Sequence, residues 1–317
     1  MIRVYVETSA VNYFMDTLNG EGAEATRKLQ VSKGREWYIS TTVLWELLQI
    51  RDRRDLDACM YLSSFLFSGN LLKSAAEITI DYIEKGRPDY FILDSPFTNS
   101  RLGDYWKRAS QDKSFSFFID DPFITEVTLF VKELAKYMGY LTLDSARENG
   151  CVKKELGDFA DFLDSVYGRY FTDKVDARTR WLRTTSILVL FVQLCLCLDI
   201  TTDAINKFWA PTAIKDPFDR LMYLLERYPG VAQYGPVWNI ANAILIQCTK
   251  SGRSSRGAFH DGLHAIYLPF VDFFLTRDEH FRTMREKAKK EFGGLYGKIH
   301  HLDEVQLVRV DQNGNQA

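Results

Sequence analysis

Short runs of apolar and β-branched residues near both ends of the chain predict buried strands. Arg3 to Val6 (RVYV) and Trp37 to Ser40 (WYIS) lie near the start, and Val271 to Leu275 lies near the end. Each run is brief and is followed by polar residues, which is typical of a strand inside a parallel sheet. Helical periodicity follows each run, so the pattern predicts an α/β fold.

Hydrophobic positions at helical spacing indicate the helices around these strands. One helix is predicted over Ala10 to Met15 with Thr8 or Ser9 as its cap, and another over VLWELLQI with Thr41 or Thr42 as its cap. The other predicted elements are helices at Leu56–Phe67, Leu71–Ile83 and Arg282–Phe292, a helix from His260 to about Pro269, and a last strand at Glu304–Val310.

The middle of the chain differs in composition from its two ends. Seven of the eight prolines fall between Pro88 and Pro236. Long amphipathic or apolar runs occupy Phe123–Met138, Phe159–Phe171, Trp181–Leu198, Phe218–Tyr228 and Val237–Cys248. We interpret residues 88–249 as a mostly helical insertion that divides one α/β domain into residues 1–87 and 250–317. Such an insertion into a loop costs little conformational entropy.

Composition and charge narrow the function classes. The chain has 317 residues, and its 46% hydrophobic and 14% aromatic content indicates a packed core rather than disorder. The net charge of -2 excludes a global basic field, although a local basic patch remains open. The five cysteines show neither disulfide nor zinc spacing, and the apolar stretch Ile187 to Ile200 is shorter than the ~20 residues of a membrane span. Without a signal peptide, we expect a cytoplasmic protein that has no membrane partner.

Four acidic residues fall at strand ends or helix starts. Glu7 follows the first strand, and Glu46 lies in the first turns of the helix after the second. Asp261 opens the helix before the third strand, and Asp278 follows that strand. Because these positions share one edge of a parallel sheet, we expect the four carboxylates to lie together. Such a cluster needs a counter-charge, and oxygen ligands select Mg²⁺ or Mn²⁺.

The predicted metal site suggests a reaction. One or two divalent ions held by acids suit the attack of water on a phosphodiester. One ion would activate the water and the other would stabilise the leaving oxygen, so no protein base is required.

Four segments, taken in order, resemble the PIN-like family of metal-dependent ribonucleases. They read VYVETSAVNYF, ISTTVLWEL, DGLHA and DFFLTRD, and their order and the spacing from Asp261 to Asp278 match the family's. The resemblance covers about half the chain and leaves the helical segment outside. It implies a parallel sheet between helices, an acidic Mg²⁺ or Mn²⁺ site and endonucleolytic cleavage of RNA. Small members include toxins of bacterial toxin–antitoxin pairs, so an inhibitory or partner protein is a further expectation.

The resemblance assigns a role to each acid. Glu7 takes the place of the family's first aspartate, and Glu46 is the second acid. Asp261 is the third acid and Asp278 is the fourth. The extra methylene of Glu7 is a departure from the family that would shift the metal or the backbone. Supporting hydroxyls, which would cap helices or bond to the ligands, are expected at Thr8, Ser9 and Thr276.

Other interpretations remain open at this stage. Each acid could serve only as a strand-end charge, a helix N-terminal charge or a helix cap. The alternative function is a non-catalytic PIN-like scaffold that binds protein or RNA through its helical insertion, with Glu7 as the mark of a decayed site. The same acids would also serve a DNA substrate. His260, Asp261 and His264 resemble part of a histidine–aspartate phosphohydrolase motif, but that site needs an earlier histidine, and none precedes His260.

A nuclease of net negative charge needs a local basic track. The loop before the third acid carries Lys250, Arg253 and Arg256, which we expect to bind nucleic acid because the loop adjoins the predicted site. Tyr167 to Arg183 mixes arginines with aromatic rings that could stack on bases, and the helix Arg282 to Phe292 is basic. A solvated surface is the alternative for each of the three.

Overall fold

A computed structural model describes residues 2–18, 35–40, 42–43, 46, 71–73, 75–87, 90, 145, 148–150, 157–196, 217–228, 230, 235–250, 258–292 and 294–304. The chain divides into two units. The first comprises Met1–Ser74, Tyr90–Ile119 and Tyr267–Ala317, and the second comprises Ala75–Asp89 and Asp120–Ile266. The domain boundaries drawn from the sequence, after residues 87 and 249, stay predictions.

The first unit is built on a parallel sheet, which confirms the predicted α/β class. Its strands are β1 (Ile2–Val6), β2 (Arg35–Ser40), β3 (Leu71–Leu72), β4 (Phe273–Thr276) and β5 (Ile299–His301). They lie in the order β3-β2-β1-β4-β5, and every neighbouring pair is parallel. The chain extends the sheet from β1 to one side and later returns to the other side at β4. The carboxyl ends of β1 and β4 therefore form the switch point at which open α/β sheets bind ligands.

Aromatic packing fixes the carboxyl end of β1. Tyr5 is fully buried, and it is in register with Tyr38 of β2 and Phe274 of β4. Its ring stacks on Tyr267 at a centroid distance of 4.7 Å and meets the ring of Phe274 at 5.1 Å. Because buried aromatic rings contribute large apolar area, this cluster anchors the strand ends that carry the predicted acids.

Helices account for most of the remaining described residues. They are α1 (Thr8–Leu18), α2 (Ala75–Lys85), α3 (Gly157–Tyr170), α4 (Ala177–Leu196), α5 (Pro217–Arg227), α6 (Gly235–Lys250), α7 (Ala258–His264) and α8 (Glu279–Phe292). In the first unit, α1 packs on β4 and α8 packs on β5. Both helices begin directly after a central strand, so their N-termini lie at the edge that the predicted site requires.

The described part of the second unit is helical. Helix α4 packs against α3, α5 and α6, and α6 also contacts α2 and α7. The α6–α7 contact is close at Gly262, where a Cβ atom would lie 2.4 Å from Cγ1 of Ile244. Among the described residues, no helix has both the length and the apolar character needed to cross a bilayer.

The structure differs from the predicted elements at Leu71 and Leu72 and at Glu304. Leu71 and Leu72 form strand β3 instead of opening a helix, because they pair with Ile39 and Ser40 of β2, and α2 begins only at Ala75. The last described strand is β5, and Glu304, the first residue of the predicted last strand, lies in a 3-10 turn. Residues 305–310 lie outside the described residues, as do the helices predicted at 56–67 and 123–138.

Candidate metal centre

Glu7 directly follows β1 and caps α1 with its own side chain. Its carbonyl oxygen accepts hydrogen bonds from the N–H groups of Ala10 and Val11, both at 3.0 Å. Its Oε1 atom accepts the Ser9 N–H at 3.0 Å, and the residue is only 6% exposed. Thr8 or Ser9 is expected to cap this helix from the sequence, but the cap is Glu7, because both hydroxyls point to carboxylates instead.

Two hydroxyl groups connect Glu7 to the end of β4. Thr276 Oγ1 donates to Oε2 of Glu7 at 2.9 Å and accepts the N–H of Asp278 at 3.0 Å. Ser9 Oγ also donates to Oε2 of Glu7 and accepts the N–H of Arg277 at 2.8 Å. Each hydroxyl thus accepts a hydrogen bond from a backbone N–H after β4 and donates a hydrogen bond to the same carboxylate. This arrangement stabilises the charged form of a nearly buried acid.

Asp278 caps α8. Its Oδ1 atom accepts the N–H of His280 at 2.7 Å, and its carbonyl oxygen accepts the N–H of Phe281 at 3.2 Å. The ring Nδ1 of His280 lies 3.3 Å from the same oxygen. The interpretation of Asp278 as a helix cap therefore accounts for its Oδ1 atom. A carboxylate has two oxygens, so capping through Oδ1 is compatible with metal binding through Oδ2.

Glu46 lies on helical backbone after β2 and is linked to α1. Its Oε2 atom accepts a hydrogen bond from the hydroxyl of Thr8, the residue next to Glu7. The second predicted acid therefore contacts the neighbour of the first. The helix start is capped by Ser40, whose Oγ accepts the N–H of Val43 at 3.3 Å. A cap at Thr41 or Thr42 is expected from the sequence, but Thr41 lies outside the described residues and the described cap is Ser40.

The buried Tyr5 hydroxyl belongs to the residue two positions before Glu7, and the charges of both acids affect its pKa. It shares a hydrogen bond of 2.8 Å with Ser40 Oγ. Burial raises the pKa of Tyr5 well above its ordinary value, and the neighbouring Tyr267 phenol adds to the rise. The carboxylates of Glu46 and Glu7 raise that pKa further, against the opposing Ser40 bond. The Thr8 hydroxyl bond to Glu46 gives the geometric link between the two acids, since Thr8 directly follows Glu7.

The remaining predicted site residues lie on α6 and α7 or outside the described residues. Asp261 lies on α7, which belongs to the second unit, so its place beside the first-unit acids stays a prediction. His264 at the end of α7 is buried, with 1% exposure. Lys250 is the last residue of α6, whereas Arg253 and Arg256 lie outside the described residues. The predicted basic loop therefore stays a prediction.

The two other basic segments carry arginines that are bound to carboxylates. Arg183 is buried and forms two hydrogen bonds to Asp173, at 2.7 and 2.9 Å. On α8, Arg285 bonds to both carboxylate oxygens of Glu304 and holds the pKa of that carboxyl at about 2. Arg282 lies 3.5 Å from the same glutamate. These contacts favour the solvated or structural interpretation of both segments over nucleic-acid binding.

Arg277 and Tyr13 were not assigned a role from the sequence. The Arg277 guanidinium lies 4.5 Å from the centroid of the Tyr13 ring, and Arg277 is exposed. The position of Arg277 between Thr276 and Asp278 is a signal that could have identified it. Tyr13 carries no such signal, because it reaches the site only through the packing of α1 on β4.

The donor set in the first unit fits a hard divalent cation. Glu7, Glu46 and Asp278 offer carboxylate oxygens, and their described neighbours are hydroxyl groups and the imidazole of His280, with no thiolate among the contacts described. Oxygen ligands of this kind suit Mg²⁺ or Mn²⁺. Comparison with models of protein families found no match, and neither did comparison with curated proteins or with solved structures.

Proposed function

We propose that this chain is a divalent-metal-dependent endoribonuclease with a PIN-like domain that is interrupted by a helical insertion. The observation that carries the proposal is the grouping of acids in the first unit. Glu7, Glu46 and Asp278 come from three segments that follow strands, and two of them share the Thr276 hydroxyl network. This grouping lies at the carboxyl edge of β1 and β4, where open α/β sheets carry their sites.

Helix capping alone does not explain this group of acids. Ser, Thr, Asp and Asn are the preferred caps, whereas Glu7 is a longer acid and is nearly buried. Glu46 caps no described helix, yet it is brought to Thr8 beside Glu7. Like charges held near one another raise each other's cost of ionisation, and a cation offsets that cost. The arrangement therefore favours a cation site over a set of independent caps.

The proposed roles follow from the contacts. Glu7, Glu46 and Asp278 would hold the cation, and the resemblance adds Asp261 as a fourth ligand. Thr8, Ser9 and Thr276 would orient the carboxylates, because their hydroxyls donate to them. When bound, Mg²⁺ or Mn²⁺ would supply Lewis acidity to water and to the leaving oxygen of a phosphodiester.

A cleavage assay on total RNA tests this proposal. Wild-type protein is incubated with Mn²⁺, with Mg²⁺ or with EDTA, beside Glu46→Gln and a control, Glu286→Gln, which changes an exposed acid on α8. We expect discrete fragments with either metal, none with EDTA, and a loss of cleavage only in Glu46→Gln. Metal-independent fragments, or equal cleavage by both variants, would contradict the proposal. A parallel reaction on DNA identifies the substrate class.

One observation favours the second candidate, a PIN-like scaffold without catalysis. The Glu7 carboxylate already accepts three hydrogen bonds from Ser9 and Thr276, so its charge is compensated without a metal. Thermal melting separates the two candidates. A nuclease should gain melting temperature with Mn²⁺, because ligand that binds only the folded state stabilises it by about 2.7 kcal/mol at a hundred times its Kd. A scaffold with a decayed site should show no such gain.

A further inference from the structure

The backbone of Arg277 is held on both sides. Its N–H donates to Ser9 Oγ at 2.8 Å, and its carbonyl oxygen accepts a hydrogen bond from Nε2 of His301 at 2.9 Å. His301 is only 3% exposed, and its Nε2 must carry the donated proton, because the Arg277 carbonyl oxygen can only accept a hydrogen bond. Arg277 is therefore fixed between the start of α1 and the end of β5.

The side chain of Arg277 is oriented by an aromatic ring rather than by an acid. Its guanidinium lies 4.5 Å from the Tyr13 centroid, within the range of a cation–π contact. Among the described residues, no carboxylate lies within ion-pair distance of this guanidinium, in contrast to Arg285, which is bound to Glu304. Arg277 thus presents an exposed positive charge one residue away from Asp278.

We propose that Arg277, held against Tyr13, binds a phosphate group of single-stranded RNA beside the acidic site. The inference rests on the proposed function and deepens it, because it names the residue that receives the substrate. A group of carboxylates repels a polyanion, so the substrate needs a positive contact that is not already neutralised by the protein. The planar guanidinium offers two parallel N–H donors that match phosphate oxygens. The Tyr13 ring limits the orientations of the Arg277 guanidinium, and the hydrogen bonds to the Arg277 backbone limit its position.

Binding of RNA without cleavage tests the inference. The probe is a short labelled oligouridine, titrated with protein in EDTA and followed by fluorescence anisotropy over a series of salt concentrations. The variants are Arg277→Ala and Arg277→Gln. The control is Arg35→Ala, which removes an exposed arginine at the amino end of β2, at the opposite edge of the sheet.

We expect Arg277→Ala and Arg277→Gln to bind the probe about tenfold more weakly than wild type, as for a lost hydrogen bond to a charged group. The slope of log affinity against log salt should also fall by about 0.7, the value for one phosphate contact on a single strand. Arg35→Ala should keep both the affinity and the slope. A purely structural role for Arg277 would lower the melting temperature without changing the slope.

Two results would overturn the inference. One is a wild type that does not bind oligouridine at low salt, and the other is an affinity and slope in both Arg277 variants equal to those of Arg35→Ala. Failure of the proposed nuclease is distinguishable, because the anisotropy assay contains no metal and needs no cleavage. Metal-dependent cleavage with unchanged binding in Arg277→Ala would leave the nuclease standing and remove only this contact.

Discussion

Replacing Thr276 by valine removes one hydroxyl from the centre of the acidic site. Thr276 is fully buried, and its hydroxyl both donates to Glu7 at 2.9 Å and accepts the Asp278 N–H at 3.0 Å. Loss of a bond to a charged group costs ~1.5–3 kcal/mol, and an N–H left without its acceptor costs ~1–3 kcal/mol. The added methyl group returns about 1 kcal/mol through burial. We therefore expect Thr276→Val to lower the free energy of unfolding by about 1.5–5 kcal/mol.

Urea titration followed by circular dichroism measures this loss, and Thr185→Val is the matched control. Thr185 is also fully buried, but its hydroxyl donates to the Trp181 carbonyl inside α4, at 2.8 Å, where the helix supplies another donor. We expect a loss under about 1 kcal/mol there. If the two valine variants were destabilised equally, the account of Thr276 as a support for Glu7 would be refuted. If Glu7 binds metal, Thr276→Val should also weaken Mn²⁺ binding roughly 10–100-fold.

Three further predictions follow from the same contacts. Because Arg285 lowers the folded-state pKa of Glu304, this acid adds stability that is present above its ordinary pKa of 4.5 and is lost as the pH falls to about 2. The difference in urea midpoint between wild type and Glu304→Gln should therefore shrink on acidification, and a constant difference would contradict the assignment. Gly262→Ala should cost about 1–3 kcal/mol of unfolding free energy, since the new Cβ would lie 2.4 Å from the buried Ile244 side chain, and an unchanged urea midpoint would show that the helices adjust. Asp261→Asn should abolish RNA cleavage with little change in melting temperature, and full activity would remove Asp261 from the predicted ligands.

The strands that carry the site could be predicted because they are short, buried and apolar. Arg3 to Val6 and Trp37 to Ser40 have the composition of central parallel strands, and the structure places β1 and β2 over them. Parallel pairing then dictates that residues after β1 and β4 share an edge. This argument alone was sufficient to bring Glu7 and Thr276 together.

Features that depend on tertiary pairing could not be predicted from local patterns. Strand β5 reads Ile-His-His, which has little apolar periodicity, and it is formed by pairing with β4. Leu71 and Leu72 look helical beside the residues that follow, but β2 supplies a partner strand. The caps also differ, because the Ser9 hydroxyl donates a hydrogen bond to Glu7 and accepts one from the Arg277 N–H after β4. Local cap preferences do not contain that information.

Direct measurement of Mn²⁺ binding tests the central claim, that the first-unit acids hold a divalent cation. Electron paramagnetic resonance of unbound Mn²⁺ gives the affinity of wild type, Asp278→Asn and the exposed-acid control Glu286→Gln. We predict that wild type and Glu286→Gln bind equally, and that Asp278→Asn binds at least about tenfold more weakly, as for a disturbed ligand set. Equal Mn²⁺ affinity in all three proteins, or no binding by wild type, would contradict the claim.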